Sequence, residues 1–330
     1  MGKVEIHRVW VFLGEKNNLL KRLANIVIYC ISLFFEILRQ KPDVVTASTF
    51  PPVVAGWTAS SAARLCGAKF IYHVQDIHPE VSIYSRSILG WALPARLLTV
   101  LDNQTLRRAD AIVTLSEDMA QTLRDRGLGK LPITIVSNPP LESHDEPIAP
   151  PINLIKAPGT VRVIFAGNLG RFQNLPLIAE GIAKCFDAHP ELELMFLGDG
   201  MALAGLKTRW GDHPQVRFVP HLPFAQARSI IADADIGLVS LSPNIFRVAY
   251  PSKLSTYLDL GLTVLAVIEP ESQLAQRLEA SGLGTVAASA EPETIRESLN
   301  HLLSNTKRQP QFVPAPENSW LDIVAAVNEA

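Results

Sequence analysis

Twice along this chain, short apolar runs alternate with segments of helical periodicity, and few folds accommodate that alternation. In the first half the runs are 43–47, 69–74, 111–115 and 133–136. Helical patterns fill 53–65, 97–108 and 117–126, the last behind a Ser116 cap. Runs apolar throughout, rather than at alternate positions, predict a parallel sheet covered on both faces. From Pro139 to Pro158 proline and polar residues take over, so a linker is placed at 141–160. A second set follows, with strands at 161–166, 192–197, 215–219 and 236–240 and an apolar strand after Gly261. Its helices fall at about 175–188, 224–232 and 292–303. A capped amphipathic tail, within 317–330, is expected to cross back to the first domain.

Composition narrows the function. With 330 residues, 48% hydrophobic and 19% charged, the chain has material for two packed domains and little for disorder. A net charge of −2 gives no electrostatic footprint for nucleic acid. Cys30, Cys66 and Cys185 are odd in number, far apart and without metal-ligand spacing, which reads as reduced thiols in a cytoplasmic protein. The opening Met-Gly-Lys-Val-Glu-Ile is no signal peptide, and Ile6 does not fit the myristoylation pattern. Residues 19–40 are mostly apolar between Lys16, Lys21 and Arg22 on one side and Arg39 and Lys41 on the other. The apolar run 23–38 contains Asn25 and Glu36 and falls short of the roughly 20 residues that cross a bilayer. A buried or half-buried helix is expected there. The basic flanks leave a peripheral membrane contact through 19–40 as a second reading.

Ligands of open parallel sheets bind beyond the carboxyl ends of the strands, which selects the loops 167–173, 198–200 and 242–253. The last leads into Pro251-Ser252-Lys253-Leu254, where Ser252 is a candidate N-cap and Gly261 a stop signal. Free N–H groups, a hydroxyl and a lysine at one helix start suit an anion, in such a chain most often a nucleotide phosphate. The same residues also fit an ordinary cap with a solvated lysine. After the 69–74 strand, Asp76-Ile77-His78-Pro79-Glu80 either faces a substrate or caps the next turn. His73 and His221 read as packing or rim residues.

Several motifs stand in a familiar order. They are Pro42-Asp43-Val44-Val45, Pro51-Pro52, Asp76-Ile77-His78-Pro79-Glu80, Arg108-Ala109-Asp110-Ala111 and Ala166-Gly167-Asn168-Leu169-Gly170-Arg171. Leu197-Gly198-Asp199-Gly200, Ala234-Asp235-Ile236-Gly237 and Pro251-Ser252-Lys253-Leu254 with Tyr257 and Gly261 complete the set. From residue 43 to about 320 the chain resembles the family 4 retaining glycosyltransferases of the GT-B fold, in particular a subgroup that makes bacterial surface polysaccharides. The resemblance implies two Rossmann-like parallel-sheet domains facing a central cleft, 1–140 on the acceptor side and 161–316 for the nucleotide-sugar. It implies transfer from a UDP-linked or other nucleotide diphosphate donor to a lipid-linked or oligosaccharide acceptor.

On the matching positions, the resemblance makes Gly167, Asn168, Gly170, Gly198, Asp199, Ser252 and Thr256 donor-binding residues. Lys253 and Arg171 would stabilise the departing diphosphate and Asp76 would position the acceptor, with His78 and Glu80 sharing a proton role beside it. No Asp-x-Asp motif stands in a suitable place and the fold is generally metal independent, so neither metal nor cofactor is expected. Gln173 replaces the family's loop lysine. Val248 and Thr256 stand where a Glu-x7-Glu pair often grips the ribose, and threonine offers no bidentate carboxylate. The Gly-Gly loop that relatives carry before the strand resembling 6–10 is missing. Two other readings follow: an impaired GT-B remnant that serves as a nucleotide-sugar binder or as a partner subunit, and an enzyme like the UDP-N-acetylglucosamine 2-epimerases.

Overall fold

The structure is a computed structural model that describes residues 5–10, 12, 18–84, 92–138, 149–170, 173–305 and 320–329. The chain divides into two compact units, Met1–Ser137 with Glu317–Ala330, and Asn138–Pro316.

The first unit runs α1 (Leu19–Gln40), β1 (Val44–Ser48), α2 (Val54–Cys66), β2 (Lys69–Val74), α3 (Glu80–Tyr84), α4 (Ala92–Arg108), β3 (Ala111–Thr114), α5 (Glu117–Asp125) and β4 (Ile133–Ile135). Its four strands are parallel in the order β1-β2-β3-β4. Right-handed crossovers stepping one way along a sheet place their helices on one face. α2 fits closely because it buries small residues, Ala55, Ala59, Ala62 and Ala63. A Cβ on Gly56 would lie 2.7 Å from the Tyr72 ring. The C-terminal helix α12 (Trp320–Glu329) seats Ile323 and Val327 against Ile71, Ala111, Val113 and Val136.

One sequence expectation holds here and one fails. The helix over 19–40 is half-buried. α1 has 22 residues, packs along α2 on one side and leaves Leu23, Val27, Ile31 and Phe35 exposed on the other. One neighbouring helix does not cover its circumference. Residues 6–10, expected as a strand, are not one. They run beside α1, where the Phe12 N–H donates to Asn25 Oδ1 at 2.7 Å and Asn25 Nδ2 donates to the Phe12 carbonyl at 3.1 Å. Asn25 is buried because it satisfies that backbone.

The second unit holds β5 (Val161–Ala166), α6 (Leu175–Ala183), β6 (Leu192–Leu197), α7 (Leu203–Trp210), β7 (Val216–Val219), α8 (Phe224–Ala232), β8 (Ile236–Ser240), α9 (Lys253–Asp259), β9 (Thr263–Val267), α10 (Gln273–Ser281), β10 (Gly284–Ala287) and α11 (Pro292–Asn305). The parallel order β10-β9-β8-β5-β6-β7 reverses direction between β5 and β8. Alternate residues serve the two faces. Val163, Phe165, Phe196 and Leu238 pack with Ile178 and Ile295 of α6 and α11. Ile164, Ala166, Met195 and Val239 pack with Ile230, Tyr257 and Leu278 of α8, α9 and α10.

At the reversal the β5–β8 ladder stops after Ile164↔Gly237, while β8 continues along β9 to Ser240↔Val267. The Ala166 N–H instead donates to the Tyr257 hydroxyl at 2.8 Å. Tyr257 reaches it because Gly237 beneath has no side chain; a Cβ there would sit 2.4 Å from the ring. Gly237→Ala is therefore expected to cost about 1–3 kcal/mol in urea denaturation, by overpacking. An unchanged midpoint would show that α9 is loosely seated.

Candidate functional site

A cavity of about 460 Å³ opens at the strand reversal, entirely within the second unit. Its walls are Ala166, Gly167, Asn168 and Gln173 after β5, Leu197 and Gly198 after β6, and His221 to Phe224 after β7. Ala227 and Ile231 of α8 and Ser252, Lys253, Thr256 and Tyr257 around α9 close it. Helical spacing puts Lys253, Thr256 and Tyr257 on one face, so the seating of Tyr257 also places the lysine.

Lys253 is the unusual group. Its Nζ is buried, lies 3.3 Å from the centroid of the Phe165 ring and has no hydrogen-bond partner among the described residues. Burial pushes the amine down from the ordinary lysine value to about 7. A charged amine so placed is stabilised by the ring but lacks a counter-charge. The arrangement suits a ligand that brings negative charge with it.

The helix start contributes less than the sequence suggested. α9 has only seven residues, Ser252 is in the α-helical region rather than extended, and its side chain caps nothing. The Leu254 N–H is already given to the Pro251 carbonyl at 3.1 Å. The glycine loops likewise spend their amides internally. Gly167 donates to Leu197 O, Leu169 to Asp199 O, Gly198 to Val219 O and Gly170 to Gln173 Oε1. What glycine supplies is shape. Gly167 has φ +113° with open space where a Cβ would project, and a Cβ on Gly198 would lie 2.0 Å from the Gly167 carbonyl oxygen.

In the first unit the loop after β2 is tied down. The Asp76 N–H donates to Thr49 Oγ1 at 3.2 Å; the residue is exposed, and partial desolvation raises its carboxyl above the usual carboxylate value. His78 and Glu80 do not form the expected proton-sharing pair. Glu80 receives two hydrogen bonds from Arg126, at 2.9 and 2.7 Å, and Arg126 also donates to Asp102 at 2.5 Å and to the His78 carbonyl at 2.8 Å. The His78 ring lies 3.3 Å from Ser82 Oγ, and burial pushes its pKa down to about 4. Glu80 is thus a structural anion of a buried network that continues through Asp102 to the Tyr72 hydroxyl. Val53 at φ +61° marks strain in the loop after β1, which no sequence signal announced.

Residues 1–139 match the family described as glycosyl transferase 4-like domain. A protein of Pseudomonas aeruginosa named Probable glycosyltransferase WbjE is 24% identical over 297 residues, 88% of this chain and 74% of its own length. WcaI of Escherichia coli (strain K12), named for colanic acid biosynthesis as a glycosyl transferase, is 22% identical over 311 residues, 89% of this chain and 74% of its own. Among solved structures, Anabaena HepE in complex with UDP-glucose superposes with a TM-score of 0.60 at 17% identity, covering 88% of this chain and 76% of that one. The UDP-GlcNAc 2-epimerase of Methanocaldococcus jannaschii gives 0.56 at 12%, covering 93% and 82%. The fold is GT-B. The family match and the two relatives support a glycosyltransferase.

In this GT-B chain the cavity gathers Gly167, Asn168, Gly198, Ser252 and Thr256 from the residues expected to bind donor, with Lys253, expected to stabilise the departing diphosphate. Gly170 and Asp199 stay outside its wall. Asp199 accepts from the Gly200 N–H at 2.7 Å and borders a separate hollow of about 310 Å³. Arg171 lies outside the described residues. Sequence reasoning missed the wall from Leu222 to Phe224, although the strand-end rule that selected the other loops applies equally after β7. His221, expected as a packing or rim residue, stands on this rim.

Two measurements test the site and the Arg126 network. The Lys253 amine titrates near 7 in the folded chain and at the ordinary 10.5 when unfolded. Between these values the unfolded chain holds more protons, so stability should rise with pH from about 7 toward 10. Lys253→Met should flatten that rise in denaturation curves taken across the range. Arg126→Met should cost about 3 kcal/mol or more, because it strands the buried Asp102 carboxylate and the half-buried Glu80. Equilibrium unfolding reads that loss directly.

Proposed function

We propose that this chain is a retaining glycosyltransferase, moving a sugar from a nucleotide diphosphate donor, UDP-linked, to a lipid-linked or oligosaccharide acceptor in surface polysaccharide synthesis. The observation that carries the reading is the uncompensated Lys253 amine at a cavity whose near wall is glycine backbone. The neighbour HepE, solved with UDP-glucose, and the naming of WcaI for colanic acid biosynthesis support the donor class and the pathway class.

The chemistry follows from where charge appears. When the bond from anomeric carbon to diphosphate breaks, its electron pair stays on the leaving phosphate oxygen. A preformed cation there lowers the barrier. Lys253 near neutral pKa takes up a proton as the diphosphate arrives, since an adjacent anion favours the charged form. Gly167 lets the ligand approach the main chain, and Thr256 supplies one hydroxyl toward the ribose in place of a carboxylate. Retention requires the acceptor hydroxyl to attack on the face the diphosphate leaves. Asp76 is assigned to orient that acceptor, and Arg171 to share the leaving-group charge.

Calorimetry with UDP-, GDP- and TDP-sugars is the test. UDP-sugar binding above pH 7 should draw protons from the buffer, seen as heats that change with buffer ionisation enthalpy. Lys253→Met should abolish the proton uptake and cut turnover about a hundredfold or more. Turnover untouched by that change would remove Lys253 from the mechanism, and a chain that binds no sugar nucleotide would end the reading.

A further inference from the structure

We infer that α1 docks flat on an anionic lipid surface, held by a stripe of apolar side chains between two basic ends. This goes beyond the sugar-transfer reading and does not depend on it.

Leu20, Leu23, Val27, Ile31 and Phe35 follow one another at three- and four-residue steps and are 50–77% exposed. Such spacing puts them on a single helix face. It is the face turned away from α2, and Ile6 and Trp10 on the segment pinned beside α1 add exposed apolar surface. Five large apolar side chains in line along 22 residues form a surface that water solvates poorly.

The charges say what covers it. Lys21 and Arg22 stand at the start of α1, and Arg39 and Lys41 at its end, all exposed. The one acid of the helix, Glu36, is held by Arg39, with Gln40 and His7 beside it. A second copy of this chain fits poorly: a parallel helix pair would set Lys21 and Arg22 against their own copies, and an antiparallel pair would bring them to Lys41 and to a Glu36 that Arg39 already holds. An anionic bilayer meets both ends with opposite charge while its acyl region takes the stripe. Spanning is disfavoured as well: the opposite face carries Asn25 and Glu36 and packs on α2, so insertion would strip those contacts and bury a carboxylate in hydrocarbon.

The test is co-sedimentation of the full chain with vesicles of phosphatidylglycerol and phosphatidylcholine, against phosphatidylcholine alone. Binding to the anionic vesicles, weakened by salt, is expected. Val27→Gln with Ile31→Gln should lower the partition about tenfold or more. Arg22→Gln with Lys41→Gln should lower it about 25-fold, roughly fivefold for each cation. Thermal melting by circular dichroism should stay unchanged in both, since these side chains face outward. Three results would overturn the inference: no binding, equal binding to neutral vesicles, or a vesicle-free dimer in sedimentation velocity that Ile31→Gln dissolves.

Discussion

The contact of Tyr257 with Gly237 and the Ala166 amide organises the second unit. A strand residue without a side chain lets an aromatic ring lie against the sheet, and the ring's hydroxyl takes an N–H that a neighbouring strand would otherwise receive. Two consequences come together. The ladder between β5 and β8 ends early, and the short helix α9 is fixed with Lys253 one turn ahead of the tyrosine. A seven-residue helix has little stability of its own. Its position is set by packing, and so is the position of its cation.

The two units use buried charge differently. Arg126 is surrounded by Glu80, Asp102 and carbonyl oxygen, so each charge there is answered and the loop it holds is fixed. Lys253 faces an aromatic ring and no anion. A satisfied network stabilises a conformation, while an unanswered cation costs stability until something negative arrives. The sequence left the loop after β2 open between a substrate-facing role and a local structural one, and the hydrogen bonds from Arg126 to Glu80 and to the His78 carbonyl belong to the second.

The fold was legible because each strand is a short run of apolar residues with breakers at both ends. Strand β2 and helix α8 coincide with their expected bounds. Helix α7 went unread because Ala202 precedes it without a capping side chain. α10 was missed despite a signal, since the Ser272 hydroxyl accepts from the Ala275 N–H as a cap should. In the site, Lys253 and Gly167 were recognisable from their motifs. The sequence did not reveal that the loop amides are already committed, because such pairing depends on which strand ends meet. Nor did it show that Glu80 answers an arginine 46 residues away. The bare outer face of α1 was hidden for a related reason: periodicity marks a stripe as apolar and says nothing of whether a neighbour covers it.

The near-contact of the turns after β5 and β6 bears on motion. With only 2.0 Å between the place of a Gly198 Cβ and the Gly167 carbonyl oxygen, neither turn has room to slide past the other. The floor beneath a bound molecule therefore shifts as one rigid plate or stays still. Tightening around an occupant then falls to the opposite wall, where Leu222 and Pro223 lead into Phe224 at the start of α8 and no glycine packs against a neighbouring turn. Discrimination among occupants would then rest on the compliance of that wall.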